Sequence, residues 1–157
     1  MIRLNLPEYE YKLKRTGKAI SIWDGIRKRY VALTPEEWVR QHFIAYLIQH
    51  LGYPQGRIGN EISLSLNGRP RRCDTLVYDA AGEPLMLIEY KAPHIAISQA
   101  VFNQIVRYNI CFQVRYIVVS NGMSHYCCRV DYTTNDCAFM TEIPAYDSIA
   151  GGRSDGI

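Results

Sequence analysis

No run of roughly eighteen apolar residues occurs in this 157-residue chain, so no segment is predicted to span a bilayer. The opening, Met1-Ile-Arg-Leu-Asn-Leu-Pro7, lacks the apolar core of a secretory leader. Cysteine is sparse and unpatterned. Five residues, an odd number without framework spacing, argue for a reducing cytoplasm. A nucleotide loop is missing as well: Gly17-Lys18 suggests one, but no glycine sits five residues earlier, and Ala19 stands where a hydroxyl would hold magnesium. Internal repeats and a second domain are absent, and the net charge of +3 permits a polyanionic partner without demanding one. What remains is a globular composition, 48% hydrophobic and 21% charged, of a length that suits one domain with a proper core.

Residues 1–33 read as an N-terminal β extension. Tyr11–Lys14, Ala19–Trp23 and Tyr30–Leu33 are its short strands. Thr34-Pro35-Glu36-Glu37 then opens a helix, with Thr34 as N-cap, proline in the first turn and Glu37 completing a capping box. That helix is predicted to run to about Leu51, with Val39, Phe43, Tyr46, Leu47 and His50 on its apolar face. Glu36 projects along the middle of the same face. Its plainer role is to favour the helix dipole, and its sharper one is to sit near a metal.

Ile58–Leu66 alternates as a strand, and Asn67-Gly68 is a strong hairpin signal, so it pairs with Arg71–Tyr78. A second hairpin joins Arg71–Tyr78 to Leu85–Lys91 around Asp79-Ala-Ala-Gly82-Glu-Pro84. If that hairpin is symmetric, with Tyr78 opposite Leu85, Asp74 lies directly opposite Glu89. Opposed Cβ atoms are about 4.5–5.5 Å apart, and like charges there are destabilising unless something lies between them. Hard carboxylate oxygens suit magnesium, with manganese as an alternative, and the backbone carbonyl of Tyr90 could add a ligand. Side chains on a strand alternate, so Lys91 shares the face of Glu89 and could orient a water or meet charge on a phosphoryl group.

A helix is predicted from about Ile95 to Asn109, with Ile97, Val101, Gln104, Ile105 and Tyr108 on one face. A nearly continuous apolar strand, Val114–Val119, follows and should lie parallel to its predecessor in the sheet. Another strand covers about Ser124–Tyr132, and residues 147–157 read as a frayed tail. The expected order from residue 34 to 146 is therefore α-β-β-β-α-β with a C-terminal strand, an α/β class with a mixed sheet. His125, Cys127, Cys128 and Cys137 raise a zinc site, but Cys127 and Cys128 face opposite sides of a strand, and buried, inert cysteines are the expectation. Gln104 reads equally as a core amide, and Arg72 as a solvated strand end or part of a phosphate path.

Asp74, fourteen intervening residues and Glu89-Tyr90-Lys91 resemble the PD-(D/E)xK nuclease motif, with Cys73 standing where the motif name has proline. The element order resembles the restriction-endonuclease-like core. Thr34-Pro-Glu-Glu-Trp-Val-Arg40-Gln, Arg72-Cys-Asp74, Glu89-Tyr-Lys91-Ala-Pro93 and Ser120-Asn-Gly122 resemble the N-terminal nuclease domain of type I restriction enzyme R subunits over roughly residues 34–145. Gln104 and Tyr108 match the Q-x3-Y signature of similar nucleases. The resemblance implies a magnesium-dependent deoxyribonuclease in which Asp74 and Glu89 bind metal, Lys91 is catalytic, and Gln104 and Tyr108 support the site or touch DNA. It also implies DNA as partner, alongside other restriction or repair subunits, since no translocase motor accompanies the motif here. The alternatives are a catalytically silent DNA-binding or assembly module, and a nuclease acting on RNA.

Overall fold

Two sheets with a helix between them define residues 1–151, the part of the chain that this computed structural model describes. The smaller sheet is antiparallel: β1 (Leu13–Thr16), β2 (Ala19–Asp24) and β3 (Arg29–Ala32) lie in sequence order. The larger has six strands in sequence order: β4 (Ile58–Leu66), β5 (Arg69–Tyr78), β6 (Pro84–Tyr90), β7 (Tyr116–Ser120), β8 (His125–Asp131) and β9 (Asp136–Met140). All its neighbours are antiparallel except β6 and β7, which are parallel and joined through the crossover helix α2 (Gln99–Asn109). This is the expected α/β class with a mixed sheet. The β4–β5 turn is tight: Leu66 pairs with Arg69, and Asn67 and Gly68 both take positive φ, 53° and 76°. That geometry explains why Asn-Gly stands there.

Helix α1 (Pro35–His50) begins as expected, the Thr34 hydroxyl accepting from the Glu37 N–H at 3.0 Å. The reciprocal half of the capping box does not form. The Thr34 N–H bonds to Ala32, and the Glu37 carboxylate turns inward to two arginines. Nor is α1 amphipathic in the expected way. From Glu37 to Ala45 every residue is buried, because the N-terminal segment and the small sheet together cover the flank that the large sheet leaves open. Trp38 donates its indole N–H to the carbonyl of Ile2, and the rings of Tyr9 and Tyr11 pack against His42 and Trp38.

The strands of the large sheet bury side chains on both faces. Met86, Ile88 and Tyr90 of β6 join Val39, Phe43 and Leu47 of α1 in one core cluster. Leu87 joins Leu76, Ile117, Val119 and Phe102 of α2 in the other. Strand alternation then places Glu89 on the α2 side with Leu87.

Four further features depart from expectation. Helix α2 starts at Gln99 rather than near Ile95, because Ser98 caps it by accepting from the Val101 N–H. Strand β9 is additional; Asn135, at φ 58°, turns the chain into it. The tail expected from Asp147 is ordered at its start. Helix α3 (Tyr146–Ile149) buries Tyr146 and Ile149, and the Tyr146 hydroxyl donates to the Tyr78 carbonyl at 2.9 Å. The rest of that tail, 152–157, lies outside the described residues. Finally, Cys128 is disulfide-bonded to Cys137 across the β8–β9 pair, with Cα atoms 5.8 Å apart, instead of both being free and buried. Cys127 is free and buried as expected, and burial pushes its thiol up to about 12. Among the described residues, no helix is long and apolar enough to cross a membrane.

Candidate active site

Strands β5 and β6 bring the two carboxylates together. Thr75↔Ile88, Leu76↔Leu87 and Val77↔Met86 are paired, a register that continues to Asp74 beside Glu89. The assumed anchor, Tyr78 opposite Leu85, is displaced: Tyr78 pairs with Pro84 through an irregularity after Val77. The slip lies on the turn side, so the Asp74 end keeps the inferred alignment. One oxygen of Asp74 accepts the Tyr90 N–H at 2.9 Å. The other relationship is between the carboxyls themselves. Burial, the negative charge of Asp74 and a hydrogen bond to it push Glu89 up to about 9, partly offset by the charge of Lys91. Two carboxyls thus face one another across the β5–β6 pair, and the ionised form of Glu89 is disfavoured there. Lys91, half-buried, follows the end of β6, its N–H donating to the Ser120 carbonyl at 2.9 Å.

Arginine and glutamate neighbours whose part in the site the sequence did not reveal hold Asp74 in place. Arg40, buried on α1, donates to the backbone carbonyl of Asp74 at 2.7 Å. The same guanidinium binds Glu37 through two nitrogens, at 2.9 and 3.0 Å, and Glu61 at 2.9 Å. Burial opposes the charge of Arg40, but Glu37 and Glu61 together raise its pKa, and it is held as a cation. Glu61 sits in β4 between the paired Asn60↔Thr75 and Ile62↔Cys73, level with Asp74, at a φ of 56°. A left-handed conformation costs a non-glycine residue about 1–3 kcal/mol. Its two ion pairs, to Arg40 and Arg72, compensate and hold its pKa down against burial.

A second buried chain of hydrogen bonds reaches the site from the small sheet. Asp24 accepts from Arg27 and from Asn60, Asn60 accepts from Thr75, and Thr75 accepts from the Tyr90 hydroxyl. Arg27 also donates to Glu37 at 2.8 Å, which closes the loop back to Arg40. Side chains on both sides of Asp74 are thus fixed from the small sheet through α1 to β6. Glu37 read as a helix cap, Arg40 only as part of a family-like stretch, and Glu61 carried no motif. The available signal was the Glu37–Arg40 spacing on one helix face.

The remaining predicted residues divide. Glu36 is exposed and lines a cleft of about 640 Å³ with Asp74, Glu61, Arg40, Arg29 and Tyr30. Arg72, also exposed, reaches Glu61 at 2.8 Å. Gln104 is exposed on α2, not a core amide, and Tyr108 is 51% exposed with the Arg71 guanidinium 4.6 Å above its ring. Among the described residues, no three His, Cys, Asp or Glu side chains converge on a metal-binding group. His125, set among the suspected zinc ligands, instead bonds Ser120 at 2.7 Å. Hard oxygens, charge-frustrated and half-buried, do fit a magnesium-type ion at Asp74 and Glu89, with backbone and water completing its shell.

Residues 35–144 match the family described as type I restriction enzyme R protein N terminus. The fold is similar to that of a fragment described as an HsdR subunit of a type I restriction enzyme from Vibrio vulnificus YJ016. The TM-score is 0.53 and the identity 18%, over 74% of this chain and 24% of that one, so the likeness speaks for the fold alone. This chain spans well under two thirds of that fragment. No curated protein matches it.

Proposed function

The chain belongs to the family of type I restriction enzyme R protein N termini, and on that footing we propose that it is a metal-dependent nuclease hydrolysing DNA phosphodiester bonds. The observation that carries this reading is the Asp74–Glu89 pair. Two carboxyls set side by side on adjacent strands are a poor way to stabilise a sheet and a good way to receive a divalent cation. Asp74 and Glu89 would hold magnesium or manganese, with the Tyr90 carbonyl beside them. Such an ion supplies positive charge at a phosphoryl oxygen and acidifies a nearby water. Arg40 fixes the Asp74 backbone, and the Tyr90 N–H fixes the Asp74 carboxylate, so little reorganisation is required when charge develops. Lys91, on the Glu89 face, is the cation available to a developing phosphoryl charge. Glu36 is the acidic rim of the cleft, and Arg72 is held by Glu61 at its edge.

Plasmid, linear duplex and single-stranded DNA incubated with magnesium, manganese or EDTA test the proposal. Metal-dependent cleavage lost in Asp74→Asn is expected. A second reading, a DNA-holding module without chemistry, is favoured because, among the described residues, no third His, Cys, Asp or Glu joins the pair in a metal-binding group. Intact DNA under every metal, with binding retained, would select it.

A further inference from the structure

The small sheet lies outside the residues that match the family, and one of its faces is unusual. From Tyr11 to Leu33 the chain carries seven lysines and arginines and one acid, Asp24, which is fully buried and already paired with Arg27. Strand pairing sets Trp23 opposite Tyr30, with Lys14 opposite Ser21 on the same face. Lys12 precedes β1 beside Trp23, whose N–H it receives at its carbonyl. The two aromatic rings meet edge to face at 5.2 Å, and the Lys14 ammonium lies 5.5 Å from the Tyr30 ring centre. Trp23 and Tyr30 are exposed to 36% and 39%. Tyr30 and Arg29, from the adjoining strand, also line the cleft that holds Asp74.

We propose that this face is a platform for an unpaired nucleic-acid strand, which stacks bases on Trp23 and Tyr30, lays phosphates along Lys12 and Lys14, and leads past Arg29 into the cleft. The inference rests on the nuclease reading for the direction in which the strand runs, but the platform itself requires only binding. Charge selects the occupant: Lys12, Lys14 and Arg29 are exposed, and with Glu10 the exposed acid at the platform's edge the balance still matches a polyanion. The aromatics select its form. The stacked bases of a duplex do not present their faces to a protein sheet, whereas unpaired bases do, whatever their sequence. Distance favours continuity, since Tyr30 belongs both to the platform and to the cleft wall. The substrate class so assigned is a single strand, or the unpaired arm of a branched molecule.

Fluorescence anisotropy of the whole chain in EDTA, with a labelled oligothymidylate against a hairpin duplex of equal charge, reads this without any cleavage. Tighter binding of the single strand is expected, with a loss of about ten-fold in Trp23→Ala, one stacked base being worth roughly that. Removing both lysines, Lys12→Gln with Lys14→Gln, should flatten the logarithmic salt dependence by about 1.4, from two single-strand phosphate contacts. Trp23→Phe keeps an aromatic face and guards against misfolding. It should retain affinity while losing the tryptophan quenching produced by the oligonucleotide, because the other tryptophan, Trp38, is buried. Equal affinity for both probes, or undiminished single-strand binding in folded Trp23→Ala, overturns the platform. Binding that follows these expectations without metal-dependent cleavage keeps the platform and removes the nuclease reading instead.

Discussion

Arg40 on α1 and Asp74 on β5 are joined through a backbone atom, the guanidinium donating to the Asp74 carbonyl at 2.7 Å. The bond leaves the Asp74 carboxylate free for Tyr90 and Glu89 while anchoring the residue that carries it. Arg40 is thus a positioning residue whose own charge is balanced by Glu37 and Glu61.

Replacing Arg40 should be far costlier than replacing Arg72, although both bind Glu61. Arg40→Met leaves the buried Glu37 with less compensation and the Asp74 carbonyl without its donor, a loss of about 3–5 kcal/mol of stability. The Arg72 side chain is 66% exposed, and Arg72→Ala should cost no more than about 1 kcal/mol. Urea denaturation of the two variants checks the order. Similar midpoints would show that the Arg40 network does not carry this weight.

Glu89 should make the metal-free protein less stable as pH rises. Its folded pKa is raised, to about 9, above an unfolded value near 4.3. Between those limits the unfolded chain gives up a proton that the folded chain keeps, so the stabilisation present below about pH 4 declines and is gone above about 9. The slope for one proton approaches about 1.4 kcal/mol per pH unit. Glu89→Gln should remove that slope, and the difference between wild type and variant at pH 5 and pH 8 measures it. Parallel curves would mean that Glu89 is ionised throughout.

Metal should expel a proton from Glu89, whose pKa is raised. Manganese binding to the wild type at pH 7.5 is expected to release close to one proton, visible as a heat that changes between buffers of different ionisation enthalpy. Asp74→Asn should stay folded, because its side-chain oxygen can still accept the Tyr90 N–H, yet lose most manganese affinity. Unchanged affinity in Asp74→Asn would move the metal elsewhere.

Lys91 separates catalyst from scaffold. Lys91→Met should lower single-turnover plasmid cleavage at saturating magnesium by roughly 10²–10³-fold, as the loss of one preorganised donor does. Metal affinity should hold or tighten, since a nearby cation has gone. Equal rates in the two proteins would leave Lys91 without a catalytic part.

The site was legible where it rests on strand periodicity and illegible where it rests on tertiary partners. The Asp74–Glu89 alignment follows from two hairpin strands and their loop, and it survives a slip at Tyr78 because that irregularity lies between the pair and the turn. Glu37 looked like half of a capping box because local spacing cannot see Arg27, ten residues away, arriving from the small sheet. Glu61 read as one more residue of an alternating strand. Nothing in its neighbours in sequence announces a left-handed φ, which depends on Arg40 and Arg72 meeting it from two other elements. The Cys128–Cys137 bond was hidden for a related reason: its second strand, β9, is short and follows a turn at Asn135.

Helix α1, buried on all sides from Glu37 to Ala45, has a consequence for where this protein can be cut. Sequence likeness to the family starts at Pro35, but the helix that begins there owes much of its shelter to Leu4, Tyr9, Tyr11 and Ile22. A polypeptide begun at residue 35 would present Trp38, His42 and Ile44 to water and leave Glu37 without Arg27. The start of the family match and the start of the unit that shelters α1 therefore fall at different places along this chain.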